Sequence, residues 1–183
     1  MDIIESRPEF KQAVEEICLE TASELARTDP VHGVFTKLMY CDGYVDHGAC
    51  YLLMADEQTP VGYVACAPSF TKWEAWMRPY FDQIRALSDV YGERVEREVA
   101  MYRSFANRYP AHLHIDILPG HTGSGNGTRL MSTLLDRLRI DGVPGVMLGV
   151  SNSNEGAIRF YRRNGFEQIG GDELTMIMGK QLI

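Results

Sequence analysis

Apolar and polar positions follow two periods along the chain, which predict strands interleaved with helices. Apolar runs bounded by turn residues predict two strands joined by a polar turn at 56–60, then strands at 112–118 and 145–150 and a last one in LTMIMG. Helical spacing dominates residues 6–26, two stretches of 70–110, the segment from Leu130 to Asp141, and NEGAIRFYRRNGF. This alternation predicts an α/β fold, with a mixed sheet flanked by helices.

Local signals suggest where several helices begin and end. Residues 6–9, SRPE, have the form of a capping box, so a helix is predicted from there to near Ala26. Residues 70–110 are predicted to form a helical insert whose breaks are Pro79 and Gly92. The apolar faces of these helices are predicted to include Phe10, Val14, Ile17 and Leu25 in the first, and Val95, Val99 and Tyr102 in the insert.

Three alternate glycines, Gly123, Gly125 and Gly127, lie between a predicted strand and a predicted helix in PGHTGSGNGTRLM. A helix N-terminus offers unpaired backbone N–H groups, and glycines let a phosphate approach them. We therefore expect a pyrophosphate cradle here. The segment lacks the Gly-Lys-Ser/Thr of a Walker A loop and the G-x-G-x-x-G step of a dinucleotide fold.

Composition narrows the class of protein. The 183 residues are expected to form a single domain, 1–183, with 45% apolar and 23% charged residues. A net charge of −7 argues against nucleic-acid partners, and no apolar run is long enough for a membrane span. The first residues do not resemble a signal peptide, so a cytoplasmic location is expected. Without CxxC spacing, a metal site is not expected at the four cysteines, Cys18, Cys41, Cys50 and Cys66.

Two motifs occur in the order and spacing of the GNAT N-acetyltransferase superfamily. The loop Gln/Arg-x-x-Gly-x-Gly/Ala of that family is matched by residues 122–127, with Thr122 at the Gln/Arg position. The second motif falls on Asn154, Ala157, Phe160, Tyr161, Gly165 and Phe166. The chain therefore resembles this family over about 110–170. It is also similar to the acetyltransferase-like domain associated with some O-GlcNAc hydrolases and to stand-alone bacterial relatives.

The resemblance implies a mostly antiparallel sheet that is splayed at a site for acetyl-CoA. In such proteins the pantetheine arm pairs with the strand before the loop, and the pyrophosphate lies on loop N–H groups. Thr122 lacks a long polar side chain, so backbone groups must do most of the binding. The residues implied to bind the cofactor are Ile117, Leu118, Thr122, Gly123, Gly125, Gly127, Thr128, Asn154 and Tyr161.

Acetyl transfer to an amine needs a base and a proton donor for the leaving thiolate. The resemblance places Tyr161 near the sulfur of the cofactor, which suits the donor role. His112 and His114 share one face of their strand, and this HLH resembles that of arylalkylamine N-acetyltransferases. Asp116 continues along the same face and could orient a histidine or bind a cationic amine.

The acceptor is expected to be a primary amine of a small molecule or peptide. Tyr40, Asp42, Tyr44 and Asp46 form a stretch where this superfamily often places its acceptor loop, and a solvated loop is the alternative. Trp73, Trp76 and Tyr80 are expected to be core or interface residues, or else to line the acceptor pocket. Two alternatives stay open: a catalytically weak or silent acyl-CoA-binding regulatory module, and a structural dimerisation domain. A homodimer is compatible with any of these.

Overall fold

A computed structural model describes all residues, 1–183, and contains one seven-stranded sheet in the order β1-β2-β3-β4-β5-β7-β6. Neighbouring strands are antiparallel except β4 and β5, which are parallel. The sheet is therefore mixed and mostly antiparallel, as predicted. The strands are β1 (Asp2–Glu5), β2 (Ala49–Met54), β3 (Pro60–Ala67), β4 (Ala111–Ile117), β5 (Gly145–Ser151), β6 (Glu167–Gly171) and β7 (Thr175–Gln181).

Helices cover both faces of the sheet. A 3₁₀ turn (Pro8–Phe10) leads into the first helix, and a π-helical turn (Leu38–Asp42) separates the third from the fourth. No helix combines the length and apolarity needed to cross a membrane. The helices are α1 (Lys11–Thr21), α2 (Glu24–Thr28), α3 (Pro30–Lys37), α4 (Gly43–His47), α5 (Phe70–Leu87), α6 (Asp89–Phe105), α7 (Asn126–Ile140) and α8 (Glu155–Arg163).

Two hydrophobic cores lie on opposite faces of the sheet. One is shared by α1, α5 and α6 and contains Trp73, Val95, Val99 and Tyr102. The other is built by α7 and α8, and it buries the apolar stripe predicted for the helix after the glycine loop. That stripe consists of Leu130, Met131, Leu134, Leu135 and Leu138.

The prediction for the first helix is wrong at both ends. Ser6 does not cap it; its N–H donates to Cys50 O at 2.8 Å, and no side chain caps the 3₁₀ turn that follows. Helix α1 stops at Thr21, because Ser23 begins a new helix by accepting a hydrogen bond from the N–H of Ala26. Leu25 is consequently 53% exposed and lies outside the core.

The two helices of the insert are confirmed, but the predicted breaks are not. Pro79 lies inside α5 on its exposed side, where water can satisfy the carbonyl that loses its partner. Gly92 lies in the first turn of α6 and donates to Ser88 O at 3.1 Å. The break is at Ser88, whose extended backbone separates the helices and whose side chain caps α6.

Candidate active site

The loop after β4 is shaped by consecutive left-handed residues. Gly123, Ser124 and Gly125 have φ angles of 85°, 48° and 78°, a region that glycine adopts at little cost. A Cβ atom on Gly123 or Gly125 would meet no other atom within 4 Å. These glycines are therefore needed for the backbone conformation, and the space beside the main chain is open to a ligand.

Gly127 has a different role from the two glycines before it. It lies in the first turn of α7, where a Cβ atom would come within 3.0 Å of Phe160 Cε2. Its missing side chain therefore allows α7 to approach α8 closely. The three glycines are thus explained by two causes: Gly123 and Gly125 by the backbone conformation of the loop, and Gly127 by the packing of α7 against α8.

Several backbone N–H groups of the loop have no acceptor within the protein. Because α7 starts here and its first turn carries no acidic side chain, the loop also carries the partial positive charge of a helix N-terminus. An anion such as a pyrophosphate fits this arrangement. The unpaired N–H groups belong to Gly123, Ser124, Gly125, Gly127 and Thr128.

Asn126 holds the loop in place through hydrogen bonds. Its side chain is 8% exposed, and its amide nitrogen donates to the carbonyl oxygen of His121 at 3.0 Å. Its own N–H donates to Gly123 O at 3.1 Å. Asn126 therefore ties the start of α7 to both ends of the loop. Sequence reasoning missed it, since the only signal was a polar residue between two glycines.

Strands β4 and β5 separate after two residue pairs. Ala111 pairs with Val146 and His112 with Met147, and no further pairing joins the two strands. Beyond this point β4 stays with β3, and β5 stays with β7. The sheet is thus splayed between β4 and β5, which leaves two strand edges facing a gap.

The hydrogen bonds at the end of β4 show that Leu118 does not make the cofactor contact expected of it. Leu118 donates its N–H to Val61 O at 2.9 Å, and its carbonyl accepts from the N–H of His121 at 3.1 Å. Its backbone groups are already used, so it is not free to pair with a pantetheine arm. Because successive residues of a strand direct their backbone groups to opposite sides, Ile115 and Ile117 present theirs to the gap.

A cleft of about 540 Å³ occupies the splayed region. It is lined by β4 and β5, by α8 on one side of the sheet, and by α1, α3 and α6 on the other. Residues from both layers therefore meet in one cavity. Its polar lining includes His32, Tyr40, Arg94, Arg97, Glu98, His114, Asp116, Asn154 and Tyr161.

His112 lies in the hydrophobic core and not in the cleft. It is 1% exposed, and neither ring nitrogen has a hydrogen-bond partner. Its ring centroid is 4.4 Å from that of Trp73, 5.0 Å from that of Tyr102 and 5.4 Å from that of Tyr44. Burial lowers the pKa of His112 to about 3. It is therefore neutral and cannot reach a ligand in the cleft.

His114 and Asp116 line the cleft from the same face of β4. The ring of His114 packs against Tyr40 and Tyr44, with centroids 5.3 Å and 4.7 Å away, and burial lowers its pKa to about 4. The carboxylate of Asp116 accepts a hydrogen bond of 2.7 Å from Tyr63. Burial raises the pKa of Asp116. No hydrogen bond joins Asp116 to His114, so Asp116 does not orient the histidine.

Helix α8 brings Tyr161 and Asn154 to the opposite wall. Tyr161 is 8% exposed and packs edge-on against Phe160 and Phe166, and its hydroxyl makes no hydrogen bond within the protein. Burial raises its pKa, so the phenol keeps its proton at neutral pH. Asn154 caps α8 by accepting from the N–H of Ala157 at 3.0 Å, which leaves its amide N–H groups free.

The family of the chain follows from comparison with known protein families. The model of the acetyltransferase (GNAT) family matches residues 13–166. The chain belongs to this family. Membership confirms three predictions: the family resemblance indicated by the two motifs, the fold with a mixed sheet, and the acetyltransferase class. Members of the family use acetyl-CoA as acetyl donor. The likeness to the domain associated with O-GlcNAc hydrolases stays a prediction.

Individual relatives agree with this assignment. The crystal structure of SsHAT is 27% identical, has a TM-score of 0.84, and the match covers 100% of this chain and 98% of that one. The PaiA N-acetyltransferase from Thermoplasma acidophilum, in complex with coenzyme A, is 15% identical with a TM-score of 0.64 over 99% of both chains, which shows a shared fold. The mycothiol acetyltransferase of Brachybacterium faecium is 49% identical over 53 residues, but this match spans 29% of this chain and 15% of that relative.

The wall of the cleft contributed by α6 was not predicted. The carboxylate of Glu98 accepts a 2.9 Å hydrogen bond from the hydroxyl of Tyr40, and Arg94 donates to the same hydroxyl at 3.1 Å. Burial raises the pKa of Glu98. In the sequence, Glu98 and Arg94 are two charges among many in the insert, and only the packing of α6 against β4 distinguishes them.

The stretch expected to form an acceptor loop is helical. Tyr40 lies in the π-helical turn and lines the cleft, whereas Tyr44 is in the core and Asp46 binds Lys11 at 2.7 Å. The aromatic residues at helical spacing on α5 lie outside the cleft lining, and Trp73 is fully buried. Only Tyr40 of this stretch is therefore in a position to contact a ligand in the cleft.

Proposed function

We propose that the protein is an acetyl-CoA-dependent N-acetyltransferase that transfers the acetyl group to a primary amine of a small molecule or peptide by direct attack. One observation carries this proposal. The splay between β4 and β5 brings His114 and Asp116 of β4 and Tyr161 of α8 into a single cleft, and β4 leads into the N–H-rich loop. A proton acceptor, a carboxylate and a proton donor thus surround the place where two strand edges are unpaired.

The donor site uses the main chain more than side chains. The unpaired N–H groups of Gly123, Ser124, Gly125, Gly127 and Thr128 would hold the pyrophosphate, and Thr122 adds no charge to them. The free backbone edge at Ile115 and Ile117 would pair with the pantetheine arm. The amide N–H groups of Asn154 are free to donate to the same arm. Acetyl-CoA supplies the activated acetyl group.

Proton transfer at the acceptor amine falls to His114. A free alkylammonium has a pKa of about 10 and must lose its proton before or during attack. His114 is unprotonated above a pH of about 4, so a ring nitrogen can accept that proton. A base of such low pKa is weak, so transfer is expected as the N–C bond forms and the nitrogen becomes more acidic.

The bonds and protons of the reaction balance without a further reactant. The amine nitrogen attacks the thioester carbon, and its proton passes to His114 directly or through water. When the C–S bond breaks, the sulfur takes the proton of the Tyr161 hydroxyl. Solvent carries the proton from His114 back to Tyr161. The products are the acetylated amine and the free thiol of CoA.

Substitution of Tyr161 tests the proposal. Tyr161→Phe should lower kcat by about 10²-fold while the Kd for acetyl-CoA, measured by calorimetric titration, stays within twofold. Release of the CoA thiol with a panel of primary amines measures the rate. Tyr51→Phe, at a half-buried tyrosine of β2 outside the cleft, is the matched control and should keep wild-type kcat. An unchanged kcat in Tyr161→Phe would remove this residue from the mechanism.

The same experiment separates the enzyme from the alternative of a silent acyl-CoA-binding module. Binding of acetyl-CoA without acetylation of any amine, in wild type and Tyr161→Phe alike, would favour the module. The low pKa of His114 is the observation that favours this alternative, because a histidine of that pKa is a weak base. Turnover that depends on Tyr161 would exclude it.

A further inference from the structure

Arg94 is held in a fixed position on the α6 wall of the cleft. Its guanidinium stacks over the ring of Phe35, 4.6 Å from the centroid, and one terminal nitrogen donates to Tyr40 at 3.1 Å. Both contacts restrict a side chain that is otherwise among the most flexible. A guanidinium has five N–H donors, so the bond to Tyr40 leaves most of them unused in a residue that lines the cleft.

No carboxylate is bound directly to Arg94. Glu98 is nearby on the same helix face, but the hydroxyl of Tyr40 lies between the two charges and bonds to both. The arginines of the chain that do form salt bridges are exposed at the surface, as Arg139 is with Asp136 at 2.6 Å. Arg94 is half-buried and shares only a hydroxyl with Glu98, so its remaining N–H donors favour a ligand that supplies an anion.

Arg94 lies on the acceptor side of the proposed reaction centre. The ring of Tyr40 separates it from His114, since Tyr40 touches His114 with its ring and Arg94 with its hydroxyl. A molecule with its amine at His114 would therefore reach Arg94 with a group several bonds away. Asp116 and His114 lie at one end of this wall, and Arg94 lies at the other, joined to Glu98 only through the Tyr40 hydroxyl.

We propose that the acceptor carries a carboxylate, bound by Arg94, several bonds away from the amine that is acetylated. This inference rests on the proposed function, because it uses the same cleft. Planar carboxylates match the fork of the guanidinium and can accept two parallel N–H bonds. The separation imposed by Tyr40 excludes α-amino acids, in which one carbon joins the two groups. An ω-amino acid and a short peptide with a free carboxyl terminus both meet the requirement.

Calorimetric titration in the presence of saturating CoA tests this without requiring turnover. The probes are 5-aminopentanoate against pentylamine, and glycylglycine against glycylglycinamide, which differ in the carboxylate. We expect the carboxylate of at least one pair to tighten binding tenfold or more in wild type. The first pair tests a small amino acid, and the second tests a peptide.

Variants of Arg94 assign the effect to this residue. Arg94→Met should abolish the preference for the carboxylate, and Arg94→Lys should restore only part of it, because a lysine lacks the bidentate fork. Arg139→Met, at a surface arginine near the end of α7, should keep the wild-type preference. Urea unfolding of each variant checks that the fold is retained.

The outcomes separate this inference from the proposed function. Equal affinity within both pairs, or no binding of any probe, overturns the inference. A preference for carboxylate that survives in Arg94→Met overturns it as well. A preference that depends on Arg94 without any acetylation of the probes would support the inference and contradict the acetyl-transfer proposal.

Discussion

His112 is a polar ring fully enclosed in the core, and its substitution tests how that burial affects the pH dependence of stability. Because both ring nitrogens are unpaired inside a cage of aromatic side chains, His112 can only be accommodated in its neutral form. His112→Leu removes both nitrogens and conserves the volume approximately, so the core can accept it with little rearrangement. The variant should therefore change the pH dependence of stability more than stability itself.

The magnitude follows from the pKa of His112, which burial lowers from 6.5 to about 3 in the folded protein. Between these values the unfolded chain binds a proton that the folded chain does not, so stability falls as the pH decreases below about 6.5. At pH 5 this linkage costs the wild type about 2 kcal/mol of unfolding free energy relative to pH 8. His114, whose pKa is also lowered, adds a similar trend that the variant keeps.

Urea unfolding at pH 8 and pH 5, followed by tryptophan fluorescence, measures the effect. At pH 8 the variant should lie within about 1 kcal/mol of wild type, because lost ring contacts offset the removal of unsatisfied nitrogens. At pH 5 it should be more stable by about 2 kcal/mol. His47→Gln, at an exposed histidine, is the control. An identical loss from pH 8 to pH 5 in wild type and His112→Leu would refute the reasoning.

Three further predictions concern the cleft and its loop. Gly125→Val should weaken acetyl-CoA binding at least tenfold in calorimetric titration, whereas Gly142→Val, also at a left-handed position but at the end of α7, should leave it unchanged; equal binding by both variants would contradict the cradle. Asn126→Leu should raise the KM for acetyl-CoA several-fold at constant kcat, because the loop loses its bond to His121. His114→Gln should lower kcat about 10²-fold. Because burial lowers the pKa of His114 to about 4, this residue should cause no inflection near pH 6.5 in the pH–rate profile of the wild type. The profiles of wild type and His114→Gln should therefore have the same shape around that pH.

The parts of the fold with repeated, redundant signals could be predicted from sequence. Helix α7 carries five buried apolar residues at helical spacing, so no single position had to decide its assignment. Strand β1 was missed because DIIE is short and offers only two apolar residues. The break at Ser88 could not be read either, since Pro79 and Gly92 are stronger local signals. Whether a proline interrupts a helix depends on which face of the helix meets solvent, which only the tertiary structure sets.

Some residues of the candidate site could likewise be predicted from sequence, and others could not. Tyr161, Asn154 and the glycine loop could be placed because two motifs carry them at fixed spacing. The pair of histidines could not be resolved by its alternation on β4, because both side chains share a face and differ only in what packs over them. Trp73 of α5 and Tyr102 of α6 cover His112, whereas Tyr40 of the π-helical turn packs on His114. Glu98 and Arg94 depend on the docking of α6 against β4, a long-range contact that leaves no local pattern.

The separation of β4 from β5 also bears on how the chain unfolds. Strands β1 to β4 and strands β5 to β7 are two half-sheets whose shared backbone ladder consists of two residue pairs, so side-chain packing supplies the rest of their coupling. A ligand lying along the gap would contact both halves at once. Unfolding should therefore be more cooperative in the complex than in the free protein. Amide exchange should show two units of different stability in the free protein, and a single unit once acetyl-CoA is bound.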